Sequence, residues 1–337
     1  MPATADTPVV SIVIPTFRRN DGLTKTLDSL AKLKDSAMQG AEIVIVDNSP
    51  EGGAEETVRQ FQQSSANPII YVNEKNPGVA NARNAGLAAA STSLIAFIDD
   101  DETADQNWLD GLLACHKAFG AAVVFGPVAT LLPDSVETHK DYFENFFARK
   151  GPAKPQVINT FFGCGNALLD LDRIAPHLPE GASFFEKIAN ETGGEDDYLF
   201  NLLKRSDETF AWAADALVFE HVPASRARLG YTLRRALGYG QGPSTLHWRK
   251  SPPNIPGVLY WMAIGVAQFS VFGLQALLMW ITRSPRRAFV LDKAARGLGK
   301  TLWFPPFALK FYGGDVSKRI SQPKLRNSKK GQPQPEN

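Results

Sequence analysis

The chain has 337 residues, 44% of them hydrophobic and 21% charged, which excludes a small disulfide-stapled scaffold and a wholly disordered polymer. Its two cysteines, Cys115 and Cys164, fit neither a metal-ligand spacing nor a disulfide framework and point to a reducing compartment. The net charge of +1 conceals a split: residues 1–220 hold 17 basic and 32 acidic side chains, and the remainder holds 19 and 3. The basic part is expected to meet something anionic, either nucleic acid or lipid headgroups.

Residues 1–8 are polar and free of basic side chains, unlike a secretory signal. Strands are expected at 9–15, 42–46, 69–72 and 94–98, because each is a short β-branched run. Helices are expected at 22–33, 55–63 and 80–90 from apolar residues at helical spacing. This alternation predicts βαβ units and a mainly parallel sheet flanked by helices. Ligands of such sheets sit beyond the carboxyl ends of the strands. Polar residues fall at those ends: Thr16 and Arg18, then Asp47, then Asn73, then Asp99, Asp100 and Asp101.

Farther on, 108–119 is expected to be helical, 123–131 a strand, 134–155 a polar and aromatic loop, 161–169 a buried run and 196–204 a helix. Residues 226–249 are basic and partly helical in pattern. Residues 257–281 carry no charged side chain; as a helix they would be about 37 Å long, enough to cross a bilayer core. Arg249 and Lys250 precede the segment, and Arg283, Arg286 and Arg287 follow it. Basic flanks at both ends fit a helix lying in the interface better than a span; a buried core helix is the other reading. Residues 302–312 form a second amphipathic patch, and the polar tail 321–337 is expected to be disordered.

Three acidic residues in a row after a buried strand repel one another unless a cation joins them, and carboxylates suit Mg2+ or Mn2+ shared with phosphates. A solvated acidic turn is the bland alternative. Glu195, Asp196 and Asp197 follow two glycines and open a helix; they either cap it or supply a general base. His221 could complete a metal site with Asp101. Arg83 could contact a base or pyrophosphate, and Gly165 and Asn166 could face an acceptor.

Together these pieces resemble the inverting glycosyltransferases of family 2, with the GT-A, Rossmann-like fold, over about residues 8–225. Val10–Arg19 looks like that family's first strand and nucleotide loop, Ile43–Ser49 its second, and Asn76–Gly86 its next loop and helix. Phe97–Asp101 resembles its D-x-D motif, and Glu195-Asp196 its catalytic E-D pair. The resemblance implies a nucleotide-sugar site at Pro15, Thr16, Arg18, Asp47, Asn76, Arg83, Asp99 and Asp100, with metal at Asp101 and His221. It implies Asp196 as base, with Glu195 and Asp197 as alternatives, and an acceptor near Gly165 and Asn166. The Gln-x-x-Arg-Trp signature of processive members is absent, so one hexose per acceptor is expected. The expected organisation is a catalytic domain at 1–225, a helical membrane-associating region at 226–320 and a tail at 321–337. The expected donor is a UDP-sugar and the acceptor a lipid-linked saccharide at the cytoplasmic face of the inner membrane, with no nucleic-acid partner. A nucleotidyltransferase lacks support because no Gly-rich basic loop follows the first strand. A P-loop fails because Ala294 stands where Gly299-Lys300-Thr301 needs a glycine. A non-catalytic membrane- or nucleic-acid-binding protein would leave both acidic clusters without a role.

Overall fold

The computed structural model describes residues 9–34, 38–186, 194–282 and 284–309. Gly193, Arg283, residues 310–312 of the second patch and the tail 321–337 lie outside these. The first half builds β1 (Val10–Thr16), α1 (Asn20–Leu30), β2 (Ala41–Asp47), α2 (Glu55–Gln62), β3 (Ile69–Asn73), α3 (Val79–Ala89) and β4 (Leu94–Phe97). There follow β5 (Glu102–Ala104), α4 (Trp108–Phe119), β6 (Val123–Phe125), β7 (Val128–Leu131), α5 (Lys140–Phe147), β8 (Gln156–Ile158) and β9 (Ala167–Asp170). The chain continues through α6 (Glu195–Arg205), β10 (Phe210–Trp212), β11 (Val218–His221), α7 (Leu229–Trp248), α8 (Ile255–Ile281) and α9 (Arg287–Thr301).

The main sheet has the order β3-β2-β1-β4-β9-β6-β10-β8. Its first four strands are parallel, β9 is antiparallel to both neighbours, and β8 is antiparallel to β10. This is the mixed α/β, GT-A-like architecture expected. The unbroken apolar runs of β1 and β2 follow from burial on both faces. Ile12 and Ile14 pack with Leu23, Leu27 and Leu30 of α1, whereas Val13 faces Ala80, Ala82 and Leu87 of α3. Each fully buried leucine of α1 contributes about 1.5–3 kcal/mol. Gly86 lets α3 lie close to the sheet, because a Cβ there would stand 2.4 Å from Val13 Cγ1.

Two sequence expectations need correction. The strand expected at 123–131 is two strands in different sheets: β6 joins the main sheet, while β7 pairs with β11 beside β5. Gly126-Pro127 makes the break. A Cβ at Gly126 would stand 2.3 Å from the Ala216 carbonyl, and Pro127 has no N–H to give to a ladder. The supposed loop 134–155 contains α5, whose Tyr142 and Phe143 are buried with Val222, Ala227 and Ala288. The aromatic residues at 142, 143, 146 and 147 carried that helical spacing.

The C-terminal helices interlock through small residues, which allow close backbone approach. A Cβ on Gly240 would reach the Arg296 carbonyl, one on Gly299 that of Leu237, and one on Gly265 that of Gly297. Of the most apolar stretch of α8 only 11% is buried, which removes the core-helix reading. Leu259, Tyr260, Val271, Leu274, Trp280 and Ile281 are all more than half exposed. Residues 302–309 form no regular helix; Gln241 Nε2 donates to the carbonyls of Leu302 (2.7 Å) and Phe307 (2.8 Å) and folds the segment back onto α7.

Candidate active site

The polar residues that end β1, β2 and β4 do meet at one edge of the sheet, but they serve different tasks. Asp47, buried to 1% exposure, accepts from Ser49 N (2.9 Å), Ser49 Oγ (2.6 Å), Ala54 N (2.7 Å) and Tyr71 OH (3.1 Å). Both its oxygens thus take part in shaping the 48–54 loop. Asn48 staples the next loop by donating to the carbonyls of Glu74 (2.9 Å) and Asn76 (2.8 Å) and accepting from Gly78 N (2.6 Å). Asn76 is exposed on that loop, and its Nδ2 donates to Glu74 Oε1 (2.8 Å).

Asp100 ties the first loop to the fourth strand. Its Oδ2 accepts from Thr16 Oγ1 (2.8 Å) and its Oδ1 from Arg19 Nη1 (2.9 Å), so Thr16 and Asp100 hold each other rather than stand free. Pro15, just before them, is half-buried. Arg18 turns away, with φ of 57°, and pairs with Glu51 at the surface; Arg19 is the one that faces the aspartates.

Asp101 Oδ2 accepts from Arg19 Nη1 (2.8 Å) and from Arg226 Nη1 (3.0 Å). The backbone N–H of His221 donates to the Asp101 carbonyl (2.8 Å), while its ring Nε2 lies 3.0 Å from Thr103 Oγ1. Asp101 and His221 are therefore neighbours but do not converge on one point. Among the described residues no three His, Cys, Asp or Glu side chains are arranged around a common cation position.

The donor chemistry nevertheless fits a hard divalent ion. Burial, and then Asp101, raise Asp99 above the usual carboxylate range against the pull of Arg83. Burial drives Asp100 up to about 6 although Arg19 opposes it, and burial and Asp101 drive Glu220 up to about 8. Glu102, which sequence reasoning missed, is buried, accepts from Asp99 N (3.0 Å) and is raised well above its ordinary range by burial and by Asp99. Five carboxyl groups thus crowd where Arg19, Arg83, Arg149 and Arg226 supply positive charge, and Arg83 is shared with Glu195. A set of oxygen donors short of cationic compensation suits Mg2+ or Mn2+.

A second acidic group lies across a short loop from the first. Asp196, at the start of α6, accepts from Cys164 N (2.9 Å) through Oδ2 and from Asp197 N (3.0 Å) through Oδ1. Asp197 itself is exposed. Arg83 is buried on α3 and donates to Glu195, with Asp196 Oδ2 3.8 Å away and the rings of Phe97 and Phe185 beneath it. In this arrangement it braces the Glu195-Asp196 pair. Burial opposes the charge on Arg83, but Glu195, Asp196 and Asp99 more than offset this and hold it above its ordinary value.

The 163–166 loop separates the two acidic groups. A Cβ on Gly163 would stand 3.2 Å from Asp196 Oδ2, and one on Gly165 would stand 2.6 Å from Asp99 Oδ2. Gly165 thus faces Asp99. Asn166 is fully buried, with its Nδ2 donating to the carbonyls of Pro127 and Ala216 (2.8 Å each) and its Oδ1 accepting from Trp108 Nε1 (2.8 Å). Its amide thus fixes the strand break at 126–127. Arg149, also missed from sequence, donates to the carbonyls of Gly163 (2.9 Å) and Asn166 (3.1 Å) and clamps the loop from below.

Comparison with known proteins gives a consistent answer. Residues 11–172 match the model of Glycosyl transferase family 2. The chain is 31% identical to the succinoglycan biosynthesis protein ExoM of Rhizobium meliloti over 69% of its own length and 73% of that protein. It is 26% identical to the glycosyltransferase AglE of Haloferax volcanii over 56% of its own length and 64% of that protein. Among solved structures, the mannosyltransferase PcManGT of Pyrobaculum calidifontis, in complex with GDP-Man and Mn2+, is similar in fold over 88% of both chains, with a TM-score of 0.59 and 17% identity. The chain belongs to glycosyl transferase family 2 and is a glycosyltransferase of the GT-A fold.

Proposed function

We propose that this glycosyltransferase moves one hexose from a nucleotide-diphosphate sugar, a UDP-sugar, to a saccharide acceptor with inversion at the anomeric carbon. The observation that carries the reading is that Asp196 and Asp99 both approach one short loop, Asp196 at Gly163 and Cys164 and Asp99 at Gly165. In a single displacement Asp196 takes the proton of the acceptor hydroxyl as that oxygen attacks the anomeric carbon. The Cys164 N–H and Arg83 fix its aim. Asp99 holds the donor sugar, and the loops fixed by Asp47, Asn48 and Asp100 shape the nucleotide cleft. Asp101, with His221 beside it, would hold Mg2+ or Mn2+. That ion, when bound, neutralises the charge that develops on the departing diphosphate.

The acceptor in this reading is lipid-linked, and the enzyme works at the cytoplasmic face of the plasma membrane in the synthesis of an envelope glycan. ExoM carries succinoglycan biosynthesis in its name, which supports a polysaccharide context. The exposed apolar side of α8 supports membrane attachment. α8 is best placed in the plane of the leaflet rather than across it. α9 runs beside it, with Gln268 Nε2 donating to the Lys293 carbonyl (2.8 Å) and Lys300 Nζ donating to Gln268 Oε1 (2.9 Å). A crossing would carry Asp292, Lys293, Arg296 and Lys300 of α9 into hydrocarbon, at about 2.5–3.5 kcal/mol for each central charge. In the plane, the apolar side enters the leaflet while the basic residues meet anionic headgroups.

The test is release of nucleotide diphosphate from a panel of nucleotide sugars with Mn2+ or Mg2+, with and without chelator, beside Asp101→Ala. Metal-dependent release that the substitution abolishes supports the reading. Failure of every donor, together with failure of UDP to bind in calorimetry, removes it.

A further inference from the structure

We infer that Arg226 is a place-holding cation: it pairs with Asp101 until metal and donor bind, and then moves to the donor's diphosphate. This rests on the metal assignment of the proposed function and adds a residue to it. One carboxylate oxygen, Asp101 Oδ2, accepts from both Arg19 (2.8 Å) and Arg226 (3.0 Å). A divalent ion coordinated through Oδ2 competes with these donors for its lone pairs. Two guanidinium groups and a dication at one oxygen also repel one another, so at least one arginine must leave.

The surroundings decide which. Arg19 keeps a second hydrogen bond, to Asp100 Oδ1 at 2.9 Å, and remains anchored without Asp101. Among the described residues Arg226 has only Glu220 in addition, at 3.8 Å, outside hydrogen-bond range. Its backbone is fixed, since Arg226 N donates to the Pro223 carbonyl (2.9 Å) and Ala227 beside it is buried against α5 and α9. The side chain therefore moves while the turn stays. Its guanidinium then lies within one side-chain length of the diphosphate that shares the ion, and its planar fork matches phosphate oxygens in pairs.

The inference predicts effects of opposite sign from one substitution, which a merely structural arginine does not produce. Free Mn2+ is titrated by electron paramagnetic resonance without donor, and UDP is then titrated calorimetrically into Mn2+-saturated protein. Arg226→Gln should bind Mn2+ about 5-fold more tightly or better, and UDP about 5-fold more weakly or worse. Arg226→Lys should shift both in the same directions by less, and Arg59→Gln, which removes a distant surface charge, should move neither. Circular dichroism melts confirm that each variant is folded. If the wild type binds Mn2+ and UDP but Arg226→Gln matches it, or weakens both, the place-holder role is wrong while the proposed function stands. If the wild type binds no Mn2+, the metal assignment falls and this inference falls with it.

Discussion

The backbone N–H of Cys164 donates to Oδ2 of Asp196 at 2.9 Å, so the loop between the two acidic groups also aims one of them. This separates Asp196 from its neighbours: Glu195 is turned inward onto Arg83, and Asp197 is exposed. Asp196→Asn is near-isosteric, keeps an oxygen for Cys164 N–H and removes the base. Transfer to the acceptor should fall by about 10²–10⁴-fold in kcat, with donor binding nearly unchanged. Asp197→Asn should stay within a few-fold of the wild type. A reversal of these two would move the base by one residue.

Gly165 is expected to tolerate nothing larger. A Cβ there stands 2.6 Å from Asp99 Oδ2, so Gly165→Ala must push Asp99 or the loop aside. Displacement of about 1 Å at a reacting centre can cost about 100-fold in rate. The loss should appear in donor hydrolysis as well as in transfer, because Asp99 belongs to the donor side. A variant with normal donor hydrolysis and poor transfer would place Gly165 on the acceptor side instead.

Much of the fold was legible in the sequence, because β1, β2 and β4 are buried on both faces and so read as unbroken apolar runs. The site was legible as a set of positions and less so as a set of roles. Asp47, Thr16, Arg83 and Asn166 were found as polar residues at the right places, yet each is largely occupied by other protein groups. A one-dimensional pattern shows that a polar group lies at a strand end; it does not show where its lone pairs go. Arg149 carried no local signal, since its partners lie at Gly163 and Asn166, 14 and 17 residues away; Glu102 bonds Asp99 only three residues before it and could have been read as a continuation of the acidic run. The strand break at Gly126-Pro127 could have been read, because Pro in a central strand argues against one continuous strand.

Asn166 provides a direct test of structure against sequence expectation. Asn166→Ala removes partners from the Trp108 indole and from two carbonyls, all inside the protein. Each buried group left unsatisfied costs about 1–3 kcal/mol, so a clear loss of stability should appear in denaturant unfolding. The KM for acceptor in the surviving folded protein should be little changed. A stable variant with a raised acceptor KM would favour the binding role.

The Arg83–Glu195 pair makes stability depend on pH. Burial raises Glu195 to about 7 even though Arg83 pulls the other way. A carboxyl whose folded value exceeds its unfolded one, about 4.3, holds its proton longer in the native state. Between these values the folded protein binds more protons than the unfolded one, so the contribution of Glu195 falls as pH rises from about 4.3 to about 7 and is constant outside that window. The difference in unfolding free energy between wild type and Glu195→Gln, measured from pH 4.5 to 8, should therefore shift against the wild type with rising pH. A flat difference would mean that Arg83 keeps Glu195 ionised throughout. Arg83→Gln should deepen the dependence, because it leaves the buried carboxylate without its cation.

Attachment to a leaflet by α8 predicts two separable contributions. Leu259, Leu274 and Trp280 are exposed on α8 at 60%, 61% and 67%, more than a soluble surface helix usually shows in one row. Changing all three to Ser should abolish cosedimentation with vesicles containing anionic lipid at high ionic strength, where the charges are screened and the inserted apolar area is what holds the protein. Arg286→Gln with Arg287→Gln should weaken binding by about 1 kcal/mol per charge at physiological salt and leave binding at high salt unaltered. The same pair of variants distinguishes lying in the leaflet from crossing it. A spanning helix needs detergent for release whatever its flanking charges, whereas an in-plane helix loses most of its affinity when both contributions are removed together.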